Sequence, residues 1–331
     1  MKRTIVCLLV AAGLYETTNA QGPAARELSA AWSLAGPWTG VVGDENSGTI
    51  YTLGFDRVAE VNASGQILQE IRLQPGSGRT MRLGRFPATT LVTFSRWGPG
   101  GVTADDLSGQ RLWTYSGAPG VDDVWVGDLD GDESDEVVVG YNGGGGAHVL
   151  DSHGQLRWKS TGIVNVWQVT VGDVLGRGRA QVVTTSARGR VHVFNGDGED
   201  RLDIAAPGVY ASVVRVQKLR PQDRTATILV AGNLPDRKGS TVMALAADGA
   251  AKWKLGLPSV LQTASVASSR PWLALGGYDT KVFVVDAIRG ETLGVAAMWQ
   301  GATTEVGWAS DPPLLLVATG RSLNAFRVAE R

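Results

Sequence analysis

The chain is poor in the residues that carry much enzyme and metal chemistry, since its 331 residues include one cysteine and three histidines. The cysteine, Cys7, lies in the apolar N-terminal stretch, so the rest of the chain offers no thiol. Disulfide scaffolds, cysteine nucleophiles and thiolate zinc sites are thereby excluded from that part. An excess of positive charge is also absent. With a formal net charge of −1, the sequence predicts no nucleic-acid partner.

The first twenty residues have the pattern of a secretory signal. Lys2 and Arg3 precede an apolar core at 4–15, and a Thr-Asn-Ala motif ends at Ala20. This order of a basic start, an apolar core and a small-residue motif predicts cleavage after Ala20. The apolar core is too short to span a bilayer. We therefore expect residues 21–331 to form a secreted or periplasmic protein that does not span a membrane.

Glycine and short β-branched runs are abundant instead. The chain has 44 glycines, and 43% of its residues are hydrophobic. Short runs rich in valine, isoleucine and leucine are bounded by turn residues, which is the pattern of β-strands. These runs lie at 137–139, 182–185, 228–230, 273–275 and 314–317. The sequence predicts an all-β protein.

One turn motif recurs along the chain. Asp or Asn opens the turn in its clearest copies, and a glycine closes it, a pattern typical of a hairpin between antiparallel strands. The closing glycines are 41 to 51 residues apart: Gly65, Gly109, Gly154, Gly198, Gly249 and Gly290. A repeat of this length predicts one four-stranded propeller blade per copy.

Tryptophan occupies one position relative to these turns. Trp113, Trp158 and Trp253 each follow a closing glycine by four residues. The shared position indicates packing between neighbouring blades. The alternative is that these tryptophans form an aromatic platform for a ligand. The same position in a strand at 27–34 is taken by Trp32.

The last repeat ends at its third strand, at 322–330, so it lacks a fourth. The strand at 27–34 can supply it and close the ring without leaving a free blade edge. The sequence thus predicts a seven-bladed β-propeller of four-stranded antiparallel blades, in one domain at 21–331. We expect a monomer.

An acidic loop at 128–136 places six carboxylates in nine residues, directly before a β-branched strand. Carboxylates at its first, third, fifth and ninth positions suit an oxygen cage for Ca²⁺. The expected ligands are Asp128, Asp130, Asp132, the Ser134 carbonyl and Glu136. Asp135 is expected to point outward. A solvated acidic turn without metal is the alternative.

This loop and its strand, best seen at 121–160, resemble the FG-GAP/VCBS repeats of integrin-α-type propellers. The loop departs from the pattern of those repeats at Glu133, because a glycine that permits a positive φ angle usually stands at this position. That resemblance implies one structural Ca²⁺ and a non-catalytic adhesion or scaffolding role. The outer strands with glycine and tryptophan are also similar to repeats of quinoprotein propellers, which implies a pyrroloquinoline-quinone dehydrogenase as an alternative. A scaffold similar to the propeller lipoprotein of outer-membrane assembly is a third, although no lipid-anchor cysteine follows Ala20.

Residues that precede innermost strands usually line the ligand face of a propeller. Those singled out are Asp122, Asp123, Trp167, Gln168, Tyr210 and Glu305. Aromatic, acidic and amide groups suit a protein or carbohydrate ligand, and rim residues without a ligand are the alternative. His148 and His192 are expected to be satisfied strand residues. Because no serine or aspartate stands at a recognisable triad spacing, we predict that the protein is not an enzyme.

Overall fold

The computed structural model describes residues 26–44, 47–98, 101–199, 201–206, 208–298 and 301–329. Its strands form seven sheets whose innermost strands contact one another in cyclic order. The predicted all-β, seven-bladed propeller is confirmed. The predicted signal segment and the bond after Ala20 lie outside the described residues. Within the described ranges, no helix has the length and hydropathy needed to cross a membrane.

The strands, in chain order, are grouped by blade. Two strands precede the first blade: β1 (Arg26–Glu27) and β2 (Ser29–Ala35). Blade 1 contains β3 (Gly40–Gly43), β4 (Ile50–Leu53), β5 (Arg57–Val61) and β6 (Ile67–Arg72). Blade 2 contains β7 (Thr80–Arg85), β8 (Thr89–Phe94), β9 (Val102–Asp106) and β10 (Arg111–Tyr115). Blade 3 contains β11 (Val121–Gly127), β12 (Glu136–Tyr141), β13 (Ala147–Leu150) and β14 (Leu156–Lys159), with a 3-10 turn at Gly143–Gly145.

The remaining blades follow the same order. Blade 4 contains β15 (Val169–Gly172), β16 (Gln181–Thr185), β17 (Arg190–Phe194) and β18 (Leu202–Ala205). Blade 5 contains β19 (Tyr210–Gln217), β20 (Thr227–Asn233), β21 (Ser240–Leu245) and β22 (Ala251–Leu257). Blade 6 contains β23 (Leu261–Val266), β24 (Trp272–Gly277), β25 (Lys281–Asp286) and β26 (Glu291–Ala297). Blade 7 contains β27 (Glu305–Ser310), β28 (Pro313–Ala318) and β29 (Ser322–Arg327).

The fourth strand of blade 7 comes from the other end of the chain. Strand β2 pairs antiparallel with β29, and Trp32 lies opposite Ala325. The predicted closure is confirmed. Strand β1 adds a feature that the sequence did not reveal, because it pairs in parallel with β26 and widens blade 6 to five strands. The N-terminal segment therefore joins two neighbouring blades.

The apolar cores lie between blades rather than within one central mass. Seven buried clusters are found among the described residues, one at each interface between neighbouring blades. Each strand presents alternate residues to the two faces of its blade, so a blade contributes to both flanking cores. Stability is thus distributed around the ring, and every blade depends on both neighbours.

The predicted turns and tryptophans meet at these interfaces. All six closing glycines have positive φ angles, between 72° and 85°. The indole Nε1 of Trp158 donates to the Gly196 carbonyl of the next blade at 2.7 Å. Trp32, Trp113 and Trp253 make the same contact with the following blade. The packing role of these tryptophans is confirmed, because each ring covers the turn of its neighbour.

Substitutions at two glycines can distinguish the stabilisation by the docked tryptophan ring from the cost of backbone strain. A Cβ atom at Gly198 would lie 2.6 Å from the Trp158 ring, whereas one at Gly76 would meet nothing within 4 Å. Their φ angles are alike, at 84° and 88°. We expect Gly76→Ala to cost about 1–2 kcal/mol from the left-handed backbone alone. Gly198→Ala should cost a further ~1–3 kcal/mol because the ring must move.

Urea denaturation of both variants measures the difference between their free energies of unfolding. Gly76→Ala is the control for the backbone strain. Equal losses in the two variants would contradict a stabilising role for the docked ring.

Candidate functional site

The propeller has two distinct ends, which we name by the direction of the innermost strands. The upper face is formed where these strands begin, together with the loops between second and third strands. The lower face is formed where they end, together with the hairpin turns. The predicted ligand residues begin innermost strands and therefore belong to the upper end. The acidic loop follows the end of β11 and lies on the lower face.

Three carboxylates of the acidic loop converge. Asp128, Asp130 and Glu136 each offer an oxygen, and these oxygens lie within 4.8 Å of one another. Such a separation suits a shared Ca²⁺, whose ligands stand 2.3–2.6 Å from the ion. Asp130 Oδ1 is buried and has no hydrogen-bond partner. The carboxylates present therefore fit a divalent cation.

An arginine already contacts two of these groups. Arg157 Nη1 donates to Asp130 Oδ2 at 2.8 Å and to Glu136 Oε1 at 2.6 Å. Burial raises the pKa of Glu136, and the Leu129 backbone N–H and the Arg157 charge oppose that rise. The guanidinium thus supplies positive charge where the sequence suggested a metal. The three carboxylates and Arg157 form one electrostatic unit.

The other predicted ligands occupy different positions. Asp132 Oδ1 accepts from the Ser134 backbone N–H, and neither residue belongs to the converging group. Asp135, expected to point outward, is buried instead. Its carboxylate accepts from the Arg85 N–H of blade 2, and its own N–H donates to the Arg85 carbonyl. Glu133 has a φ angle of 68°, so the non-glycine residue does carry the left-handed backbone.

The corresponding loop of blade 4 shows which hydrogen bonds of the acidic loop can form without its cluster of carboxylates. Asp173 accepts from the Arg177 and Gly178 N–H groups, much as Asp128 accepts from two backbone N–H groups of its own loop. Gln181 Oε1 accepts from the Leu175 N–H, as Glu136 Oε2 does from that of Leu129. The blade 4 loop makes these backbone contacts although it lacks most of the carboxylates. The blade 3 loop therefore differs from it chiefly in its negative charge.

At the upper end of the axis, the structure brings together three of the six predicted ligand residues. Asp123, Gln168 and Glu305 are buried and surround two arginines. Asp122 is buried beside them, Trp167 is half-buried, and Tyr210 is exposed. The predicted face therefore divides into an internal polar cluster and an external surface.

Arg82 and Arg215 organise the internal cluster. Arg82 Nη2 donates to Asp123 Oδ1 at 3.1 Å, and Arg215 Nη1 donates to Gln168 Oε1 at 2.8 Å. Glu305 Oε1 accepts from the Thr263 hydroxyl. The indole of Trp125 lies 5.4 Å and 4.6 Å from the two guanidinium carbons. We call Arg82, Asp123, Gln168, Arg215 and Glu305 the axial cluster.

Burial and mutual charge set the ionisation of this cluster. Burial lowers the pKa of Arg215 to about 10, although the nearby negative charge of Asp123 acts to raise it. Burial opposes ionisation of Glu305, but Arg82, Arg96 and Arg215 hold its pKa below its usual value. Burial raises the pKa of Asp122 to about 6, against the neighbouring Trp97 and Asn142 side chains. At neutral pH Arg215 is thus cationic and Glu305 is ionised.

Sequence reasoning missed both arginines. Each interrupts an apolar innermost strand, in Met81-Arg82-Leu83 and in Val214-Arg215-Val216. A charged residue in such a strand must have a buried partner, and that is the signal available in the sequence. The partner's identity cannot be read from spacing, because it comes from another blade.

The external part of the upper face carries exposed aromatic side chains. Phe55, Trp97, Tyr210 and Tyr278 are each between 56% and 69% exposed. They lie in loops between second and third strands or at the start of an innermost strand. Trp97 also has a φ angle of 57°. Such strain in a non-glycine residue is often found at binding sites.

His192 in blade 4 has hydrogen-bond partners on both ring nitrogens, which confirms the prediction that it is a satisfied strand residue, but the sequence did not predict that these partners are a serine and an aspartate. His192 Nδ1 lies 2.7 Å from Asp203 Oδ1, and Nε2 lies 2.9 Å from Ser186 Oγ. Ser186 is only 3% exposed, and Thr185 beside it is fully buried. Burial lowers the pKa of His192, and Asp203 opposes this change. The serine is enclosed, and these contacts join strands β17 and β18 to the turn that follows β16.

Comparison with protein families gives a match to part of the chain. Residues 99–205 match the model of the lambda-carrageenase beta-propeller domain. The matched range includes all of blades 3 and 4, and it covers about a third of the 331-residue chain. A search of curated proteins finds no significant match. In blades 3 and 4 the chain is therefore similar to a carrageenase-type propeller domain.

Proposed function

We propose that this chain is a non-catalytic, secreted or periplasmic propeller that binds a glycan through its upper face. The observation that carries the proposal is the group of exposed aromatic side chains on that face. Aromatic rings offer flat apolar surface, which is complementary to the C–H faces of sugar rings. Loops held by a rigid scaffold are common locations for binding residues.

The family match supports a glycan over other ligands, because the matched family is that of an enzyme named for carrageenan. The resemblance to FG-GAP/VCBS repeats favours a protein partner instead, and exposed Tyr and Trp residues also suit protein interfaces. The quinoprotein-like alternative requires an oxidation reaction. Incubation with pyrroloquinoline quinone, an alcohol or sugar and a redox dye would reveal such an activity.

Affinity electrophoresis through gels that contain λ-carrageenan or an unsulfated galactan tests the proposal. We expect retardation of the wild type and at least about tenfold weaker binding after Tyr210→Ala or Tyr278→Ala, equivalent to about 1.4 kcal/mol. Leu112→Ala and Leu156→Ala are matched controls, since these exposed apolar residues lie on outer strands. Unchanged binding in the tyrosine variants would remove the upper face as the site. If a glycan array also shows no binding, the glycan proposal is wrong and the protein partner remains.

We further propose that the acidic loop binds one structural Ca²⁺ through Asp128, Asp130 and Glu136. Asp132 and the Ser134 carbonyl are the additional ligands that the loop sequence offers, and water can complete the shell. Support comes from the converging carboxylates and the unpartnered Asp130 oxygen. Binding requires Arg157 to give up its contacts with Asp130 and Glu136, so ion and guanidinium compete.

Calcium titration by calorimetry and thermal unfolding measures this competition. At a free Ca²⁺ concentration of 100 times the dissociation constant, the ion adds ~2.7 kcal/mol of stability. Chelation should therefore lower the melting temperature by a few degrees. Asp130→Asn should abolish the heat of binding, and Arg157→Gln should increase the affinity. Asp173→Asn, in the loop of blade 4, is the matched control. If neither the wild type nor Arg157→Gln binds Ca²⁺, the calcium proposal is wrong. The loop is then an acidic turn whose charge Arg157 neutralises.

A further inference from the structure

A cavity of about 220 Å³ lies on the axis of the ring. Its lining runs from the axial cluster toward the lower ends of the innermost strands. Polar and apolar groups both contribute, among them Arg215, Glu305, Gln217, Ser265, Trp125 and Trp308. We call this cavity the axial channel. Its volume is below the roughly 300–1,000 Å³ of sites for drug-sized ligands, so it suits a small molecule or one unit of a larger one.

Two buried polar atoms of the lining residues have no hydrogen-bond partner. One is Arg215 Nη2, a donor on a side chain that is only 2% exposed. The other is Glu305 Oε2, an acceptor that lies 3.6 Å from Arg82 Nη1. An unsatisfied buried donor or acceptor costs about 1–3 kcal/mol, and more when it is charged. A ligand or water in the channel would recover this free energy.

The charges at the axis indicate the chemistry of that ligand. Within the axial cluster, Arg82 and Arg215 are matched by Asp123 and Glu305, so these four groups carry no net charge when ionised. Neither an anion nor a cation gains from the summed charge, and each would lie near a group of its own sign. A hydroxyl group meets both needs, because it accepts from a guanidinium and donates to a carboxylate.

We propose that the axial channel binds a neutral polyhydroxyl ligand of about the size of one sugar ring. Its hydroxyl groups accept from Arg215 Nη2 and donate to Glu305 Oε2. Its C–H surface packs against the apolar part of the lining, which includes Trp308. This site is separate from the aromatic residues of the upper face and stands independently of the function proposed for them.

Saturation-transfer NMR and calorimetry with D-galactose, D-glucose and glycerol as probes test the site. We expect a neutral hexose to bind the wild type. Glu305→Gln should weaken binding by at least about tenfold, because the carboxylate acceptor is lost while the shape remains. Ser265→Leu should abolish binding by filling the channel, and it leaves the axial cluster intact. Gln155→Leu, in the exposed hairpin turn of blade 3, is the control for an added leucine.

Three outcomes would overturn the proposal. Binding by none of the neutral probes would mean that the channel holds ordered water only. Tighter binding of glucuronate or glucosamine than of the neutral hexoses would show that the axial channel prefers a charged ligand. Hexose binding that survives Ser265→Leu but is lost in Tyr210→Ala would place the sugar on the upper face. Because the tyrosine variants leave the channel unchanged, this test is distinct from that of glycan binding.

Discussion

Replacing Asp123 with alanine is expected to lower the free energy of unfolding by about 3–5 kcal/mol, because two buried arginines lose a shared partner. Asp123 Oδ1 accepts from Arg82 at 3.1 Å. Its Oδ2 accepts from the Val169 N–H and lies 3.8 Å from Arg215 Nη1. The carboxylate therefore connects blades 2, 3, 4 and 5 at the axis. Equilibrium denaturation in urea measures the loss.

An exposed ion pair provides the control. Arg57 Nε lies 3.0 Å from Glu70 Oε1, and the two side chains are 39% and 47% exposed. Glu70→Ala should cost no more than about 1 kcal/mol, as is usual for surface pairs. A comparable, small loss in Asp123→Ala would show that the buried arginines find other partners. Combining Asp123→Leu with Arg82→Met should recover part of the loss, since an apolar pair leaves fewer charges buried.

Removal of the N-terminal segment is expected to have the second large effect. A chain that begins at Gly36 lacks β1 and β2, and it loses both the pairing with β29 and the docked Trp32. Losing a ladder of this length together with its apolar contacts should lower the melting temperature by roughly 10 °C or more. The uncovered edge of β29 should also promote association between molecules. Differential scanning calorimetry and light scattering measure the two effects.

A shorter truncation separates the two strands. A chain that begins at Leu28 loses β1 and its parallel pairing with β26 but keeps β2. Its melting temperature should fall by only a few degrees. Adding a peptide of residues 26–35 in excess to the longer truncation should restore stability by mass action. If the two truncations melt at the same temperature, ring closure by β2 does not stabilise the protein.

Much of the fold could be predicted because its signals are local. The φ angles of the closing glycines and the position of each tryptophan depend on a few neighbouring residues, and both recur along the chain. The spare strand at the start and the missing one at the end then determined how the ring closes. The pairing of β1 with blade 6 left no such signal, since Arg26 and Glu27 form too short a strand to show an alternating pattern.

The site was less accessible to sequence reasoning because its contacts cross between blades. Arg82 and Glu305 are separated by more than two hundred residues, and they meet only because both innermost strands face the axis. Asp135 was expected to point outward because it stands beside Glu136, the closing ligand of the loop pattern, but its carboxylate accepts from the Arg85 backbone N–H of blade 2. Ser186 and Asp203 contact His192 from a turn and an adjacent strand, at spacings that suggest no relationship.

Because β2 completes blade 7, the ring can close only late in the synthesis of the chain. Ser29 pairs with Arg327, so the partner of the N-terminal strand emerges from the ribosome almost three hundred residues later. At about 5–20 residues per second, that interval lasts roughly 15–60 s. Blades 1 to 6 have all their own strands by then and can form one after another. The ring itself can be completed only when translation is nearly finished, and until then β2 is a strand without its partner.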